Sequence, residues 1–170
     1  MVYIRMVGPQ QEAWANTNGN AASIDIEECF RDALVTFEHS RDQVSKTSVR
    51  LASLKLNCAT VERWCGWFRL QCTLLQKSCK CLALDVVDMS NNNIGDHGLV
   101  ILTDVLLDRP PRILKLFNNR ITDTTPFENL FSVDSLQELH LSNNRIPIHT
   151  AIRLILAAVT TKNKYNQCIY

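Results

Sequence analysis

The side chains best suited to chemistry in this chain are four histidines, seven cysteines and a scatter of aspartates, and their spacing limits what they can do. His39, His97, His140 and His149 fall on separate segments, and none sits in a His-Glu-x-x-His pair. Phosphate loops and Gly-x-Ser-x-Gly elbows are absent from the sequence as well. Asp85, Asp88 and Asp96 lie close in sequence, but the pattern around them sends them to different faces. Cys58, Cys65, Cys72 and Cys79 recur every seven residues. A heptad drifts only ~20° on a straight helix, so the last three share one helical face. A zinc site wants paired ligands two to four residues apart. Cys79-x-Cys81 is tighter than that, and cysteines a heptad apart, at about 10 Å, are too distant for a disulfide. The cysteines therefore read as small hydrophobes packed in a core, free and without metal. The chain reads as a non-enzyme that needs no cofactor.

The elements that position these residues announce themselves by repetition. Val87-x-Met89-x-x-Asn92-x-Ile94 returns as Leu114-x-Leu116-x-x-Asn119-x-Ile121 and again as Leu139-x-Leu141-x-x-Asn144-x-Ile146. The asparagines stand 27 and then 25 residues apart, within the period of a leucine-rich repeat. Apolar residues two apart describe a short strand with one buried face. The asparagine then falls where the backbone must bend, and its amide offers both a donor and an acceptor to groups that leave the ladder. Asn92, Asn119 and Asn144 are thus structural. The lead-in residue is Leu84 in the first copy, Leu136 in the third and Pro111 in the second, where it bends the entry.

Ile94-Gly95-Asp96-His97-Gly98 is followed by Leu99, Leu102 and Leu106 at helical spacing. This stretch resembles the ribonuclease-inhibitor-like leucine-rich-repeat family. The second copy keeps Ile121-Thr122-Asp123, then turns to Thr124-Thr125-Pro126 ahead of a short helical turn through Phe127, Leu130 and Phe131. The third passes through Pro147 into a longer helix carrying Ile152, Ile155, Leu156 and Val159. The resemblance covers about half the chain. It implies an α/β solenoid with parallel strands on a concave face and helices on a convex one. It also implies a scaffold that holds a protein partner on the concave surface.

Around this centre, residues 1–22 read as loop or disorder. Residues 23–48 read as an N-terminal helical cap: Ser23 caps a helix from Asp25 to Asp42 whose stripe is Ile26, Phe30, Ala33, Leu34 and Phe37. Residues 49–81 read as a degenerate repeat, in which Leu51-x-x-Leu54-x-Leu56-x-x-Ala59 copies the phrase with Ala59 in the asparagine's place, although Leu51 and Leu54 also allow residues 46–57 to extend a helix. A helix follows between Thr60 and Cys81. The clear repeats occupy 82–109, 110–135 and 136–163, ahead of a short tail.

Charge is almost balanced, 18 basic against 17 acidic residues, which removes any whole-molecule field for nucleic acid or anionic membrane. The opening Met1–Val7 is too short for a secretory signal. No Asn-x-Ser/Thr sequon occurs, and an odd number of cysteines suits a reducing compartment. The cytoplasm is the expected location, with the nucleus as the alternative.

If the strand aliphatics point inward, the residues between them face the groove. These are Val86, Asp88 and Ser90, then Ile113, Lys115 and Phe117, then Glu138, His140 and Ser142. Strand stacking makes a row of Asp88, Lys115 and His140. Phe117 among polar neighbours has the character of a binding hot spot. A protein partner on Val86, Asp88, Ile113, Lys115, Phe117, Glu138 and His140 is the first expectation. An RNA-associated factor using Lys115, Phe117, Arg120 and Arg145 is the second, disfavoured by the mixed charge of the groove. The C-terminal end is a candidate edge for self-association.

Overall fold

In a computed structural model of the chain, the described residues are 30–38, 45–77, 82–133, 135–161 and 168–169. They form a mixed α/β structure. The strands are β1 (Leu34–Glu38), β2 (Ser45–Arg50), β3 (Leu82–Asp88), β4 (Ile113–Lys115), β5 (Glu138–His140) and β6 (Cys168–Ile169). They make one sheet in which sequence order is spatial order. β1 pairs antiparallel with β2, and every later neighbour pairs in parallel. Between the parallel strands run helices α1 (Cys58–Lys77), α2 (Asp96–Asp108), α3 (Phe127–Phe131) and α4 (Ile148–Thr161). Each helix packs on the next. Parallel pairing needs such crossovers, because a tight turn cannot return the chain to the same end of the sheet.

The repeated phrase does what its spacing predicts. Leu84, Val87, Met89 and Ile94 are buried, as are Leu114, Leu116, Ile121, Leu136, Leu139 and Leu141, in one continuous core with the helices. The step of three between Leu84 and Val87 is absorbed by a bulge: Thr47 pairs with Leu84 and Ser48 with Val86, which leaves Asp85 as the extra residue. Pro111 is buried at the matching place in the second unit. Leu99, Leu102 and Leu106 of α2 are fully buried, and so is Phe127 of the short α3.

Each bend is fixed by two adjacent residues. Asn91, Asn118 and Asn143 take positive φ angles of 56, 53 and 57°, a conformation that asparagine tolerates better than most residues. The asparagine that follows ties its unit to the one before. Asn119 is the clearest case: its Oδ1 accepts the Ile94 N–H at 3.0 Å, and its Nδ2 donates to the Met89 and Leu116 carbonyls, each at 3.0 Å. Asn144 repeats this with the Ile121 N–H and the Leu116 and Leu141 carbonyls.

The N-terminal third departs from the sequence reading. Residues 30–32 are helical, but within the described part of the expected helical cap over 23–48, residues 34–38 and 45–48 are strands β1 and β2 paired antiparallel, while Ser23, Ile26 and Asp42 lie outside the described residues. Val35-Thr36-Phe37 is a β-branched and aromatic run, and the neighbouring edge of the parallel sheet rewards it as a strand. Phe30 and Ala33 are buried as the stripe requires, Phe30 with its ring 5.9 Å from that of Trp67. The assignments for residues 1–22, including the loop or disordered N-terminus, lie outside the described residues.

The degenerate repeat is also displaced. Val49 pairs with Val87, and the Leu51 N–H donates to the Asp88 carbonyl as the Met89 N–H does to Lys115. Leu54, not Ala59, therefore occupies the asparagine's place, and Ala59 lies in α1. Asn92 reaches back to this first bend: its Oδ1 accepts the Leu54 and Leu56 N–H groups, and its Nδ2 donates to the Leu51 carbonyl. The strand upstream of β2 is antiparallel and offers no equivalent bend, so an aliphatic serves there.

Helix α1 carries Trp64, Cys65 and Phe68 inward, with Trp64 and Phe68 stacked at 4.9 Å. Cys65 is buried, while Cys58 and Cys72 are partly exposed. Burial pushes the Cys65 thiol up to about 12. A Cβ at Gly98 would lie 3.2 Å from the Cys58 Cα, so the second glycine of Gly95-Asp96-His97-Gly98 makes room for the start of α1. Cys79 and Cys81 lie outside the described residues.

Candidate interaction surface

The strands β2 to β5 place one side chain of each alternate pair in the core and the other on the open face of the sheet. Register fixes the rows. Arg50, Asp88, Lys115 and His140 are successive partners, and so are Ser48, Val86, Ile113 and Glu138. The expected row of Asp88, Lys115 and His140 is therefore present, and Arg50 extends it. Sequence reading missed Arg50 because it set the first repeat five residues too far along the chain.

Val86, Asp88, Ile113, Lys115, Phe117, Glu138 and His140 are all partly exposed. Of the third positions, Ser142 is exposed but Ser90 is completely buried, its hydroxyl without a hydrogen-bond partner among the described residues. Ser90 belongs to the interior and not to the face. Phe117 stands between them, since the Asn91 N–H donates to the Phe117 carbonyl and the Asn118 N–H to that of Ser142.

The charges on this face are unevenly satisfied. Arg112 reaches Asp85 on the bulge at 2.7 Å and Glu138 at 3.9 Å. The Asp85 carboxylate, accepting the Arg112 hydrogen bond, raises the guanidinium's pKa further. Glu138 also meets His140 at 3.2 Å. Asp88 accepts the Ser90 N–H at 3.1 Å. Lys115 makes no ion pair among the described residues. One corner of the face is thus self-neutralised, and its centre presents a cation beside the partly exposed Ile113 and Phe117.

Arg120 and Arg145 occupy equivalent places just past the bend, their N–H groups donating to Ile94 and Ile121, and both are exposed. Lys55 stands at the matching place in the first unit. These residues line the rim and do not join the Lys115 row.

A second set of polar contacts joins the units just past the same bends. Asp96 accepts the Thr122 N–H at 2.7 Å, the Asp123 N–H at 3.0 Å and the Thr122 hydroxyl. Desolvation raises its pKa, but these hydrogen bonds outweigh that effect and hold the carboxyl below its usual 3.8. Asp123 in turn accepts the Thr125 hydroxyl at 2.6 Å and N–H at 3.0 Å, and is likewise lowered. The aspartate of the repeated phrase is structural, joining one unit to the next.

Among the described residues no group of three or more His, Cys, Asp or Glu side chains converges as a metal site would require. No helix there is long and apolar enough to cross a membrane.

The phrase, its bend and its helix recur in the last clear unit, and a family model matches that unit. Residues 135–155 match the model described as Leucine Rich Repeat. That match spans the lead-in Leu136, strand β5, the Asn144 bend and the first half of α4. The leucine-rich repeat suggests a module for protein interaction. No curated protein and no solved structure matches the chain.

Proposed function

We propose that this protein is a non-enzymatic interaction module that holds a protein partner on the open face of β2 to β5, the concave side of a short solenoid. The observation that carries the reading is the register that sets Arg50, Asp88, Lys115 and His140 in one row beside Val86 and Ile113. A polar row of mixed charge next to partly exposed aliphatics and an aromatic suits a protein surface of mixed polarity. Lys115 and Phe117 are its centre, because the cation has no ion-pair partner among the described residues and the ring is partly exposed. The Ile94-Gly95-Asp96-x-Gly98 passage, with Gly98 against Cys58, supports the ribonuclease-inhibitor-like subtype. Free thiols at Cys58, Cys65 and Cys72 support a reducing compartment, the cytoplasm.

The test is affinity capture from the source cell, with wild type beside a Lys115→Glu/Phe117→Ala variant. A protein captured by wild type and lost by the variant is the expected result. A partner retained by both would remove the open face from consideration. Capture of RNA that weakens steeply with salt would favour nucleic acid on Lys115, Phe117, Arg120 and Arg145 instead.

A further inference from the structure

Charge on the open face is sorted along the strands. Toward the end where the strands begin, Asp85, Arg112 and Glu138 pair among themselves. The other end is built by residues 50–55, 88–93, 115–120 and 140–145. These stretches hold five lysines and arginines and one carboxylate, Asp88. Arg50 and Lys115 stand in the strand row. Lys55, Arg120 and Arg145 stand just past the bends. All are exposed except Lys115, which is partly so. None of the five makes an ion pair among the described residues. Asp88 lies between Arg50 and Lys115 in the row, yet its carboxylate accepts the Ser90 N–H instead. The acids further on are occupied too, Asp96 by the Thr122 and Asp123 N–H groups and Asp123 by Thr125 and Arg153.

The cations thus form two tiers. Neighbouring strands lie about 4.8 Å apart, which sets the backbones of Arg120 and Arg145 about 5 Å apart and those of Arg50 and Lys115 about 10 Å apart. Phe117 stands between the tiers, two residues past Lys115 and three before Arg120. Its neighbours in its own row are small, the buried Ser90 and the exposed Ser142, so the ring is open to a partner. Cations gathered without counter-charges repel one another, and an anion bound among them relieves that cost.

We propose that the partner presents a short acidic segment to this end of the face, its carboxylates reaching both tiers and an apolar side chain resting on Phe117. The inference rests on the open face being the binding surface, and it adds the chemistry of what binds there. Arginine takes carboxylates through two parallel hydrogen bonds, and three of the five cations are arginines. A peptide fits better than RNA for two reasons. Single-stranded RNA stacks successive bases on several aromatics, and Phe117 is the one Phe, Trp or Tyr in these four stretches. Asp88 would also repel an unbroken run of phosphates along the strand row, whereas a peptide can set a neutral residue beside it.

Titration calorimetry of the full 170-residue chain tests this. The probes are a synthetic peptide of about ten residues with glutamates on both sides of a central leucine, its twin with glutamines, and an oligouridylate of similar length. At low salt the acidic peptide is expected to bind with a Kd below about 100 µM, and the twin at least about tenfold more weakly. Lys115→Glu and Arg120→Glu should each weaken the acidic peptide at least about tenfold, and Phe117→Ala should weaken both peptides. Arg63→Glu, on the exposed side of α1, makes the same change in net charge and should bind as wild type does. No binding, equal binding of the twin, or an equal loss in Arg63→Glu overturns the proposal. A twin that binds equally but is lost in Lys115→Glu overturns the acidic chemistry while supporting the open face as the surface. Acidic-peptide binding untouched by Lys115→Glu, Arg120→Glu and Phe117→Ala overturns both. Tighter binding of the oligouridylate, lost in the same variants, overturns the proposal in favour of RNA.

Discussion

Asn119 Oδ1 lies 3.0 Å from the Ile94 nitrogen, a hydrogen bond between residues 25 apart that joins one repeat's bend to the next. The same amide donates to Met89 in the earlier unit and to Leu116 in its own. One buried side chain thereby satisfies backbone groups that the end of the strand ladder would leave without partners.

Asn119→Ala should destabilise the fold by roughly 1–3 kcal/mol, the usual cost of unmet buried polar groups. Asn144→Ala should cost less, because Asn144 is partly exposed and water can replace part of what is lost. Urea denaturation of the two variants checks the order. Equal midpoints for wild type and Asn119→Ala would show that the bend does not depend on the amide.

Leu54 gives the converse test. It holds the asparagine's place in a unit to which the described residues offer no earlier bend, and it packs against the core. Leu54→Asn should therefore destabilise by about 1–2 kcal/mol, from lost apolar burial and an amide short of partners. A gain in stability would mean that an upstream bend exists for it to bond.

Asp96 links stability to pH. Its folded pKa is below the ordinary 3.8, so its contribution is fully present above that value and is lost as pH falls through the lower, folded value. Asp96→Ala should cost about 1 kcal/mol at neutral pH. The gap from wild type should narrow in acid below pH 3.8. Chemical denaturation at both pH values reads the difference directly, and a gap that widened in acid would contradict the sign.

Cys65 should resist thiol reagents in the native state at mildly alkaline pH, since burial puts its pKa at about 12 and the thiolate is the reactive form. The partly exposed Cys58 should label sooner. Peptide mapping after brief alkylation, with and without denaturant, tells the two apart.

On the open face, Arg112→Ala and Lys115→Glu should each change stability by less than about 1 kcal/mol, as exposed ion pairs and lone surface charges usually do. Thermal melts would check this. A large loss in Lys115→Glu would make that side chain structural and compromise its use as a binding probe.

The sequence by itself determined the repeating unit from Leu84 to Ile146. There the apolar steps, the bend asparagines and the Gly95-Asp96-His97-Gly98 turn are local signals that agree with one another, and the strands, the Asn92, Asn119 and Asn144 contacts and the Lys115 row follow from them. Where local and global preference part, only the tertiary structure decided. Residues 34–38 suit a helix by spacing, yet the free edge of a parallel sheet rewards them as a strand. Leu51, Leu54 and Leu56 fit the phrase in two registers, and the choice went to the one that sets Val49 beside Val87. Ser90 alternates outward like Ser142 but is buried. The last helix shows the limit most plainly. Periodicity says that Ile148, Ile152, Ile155 and Val159 share a face, yet in α4 they are exposed while Leu154 and Ala158 are buried. A helix with apolar residues on two sides carries no local mark of which side its own core will take.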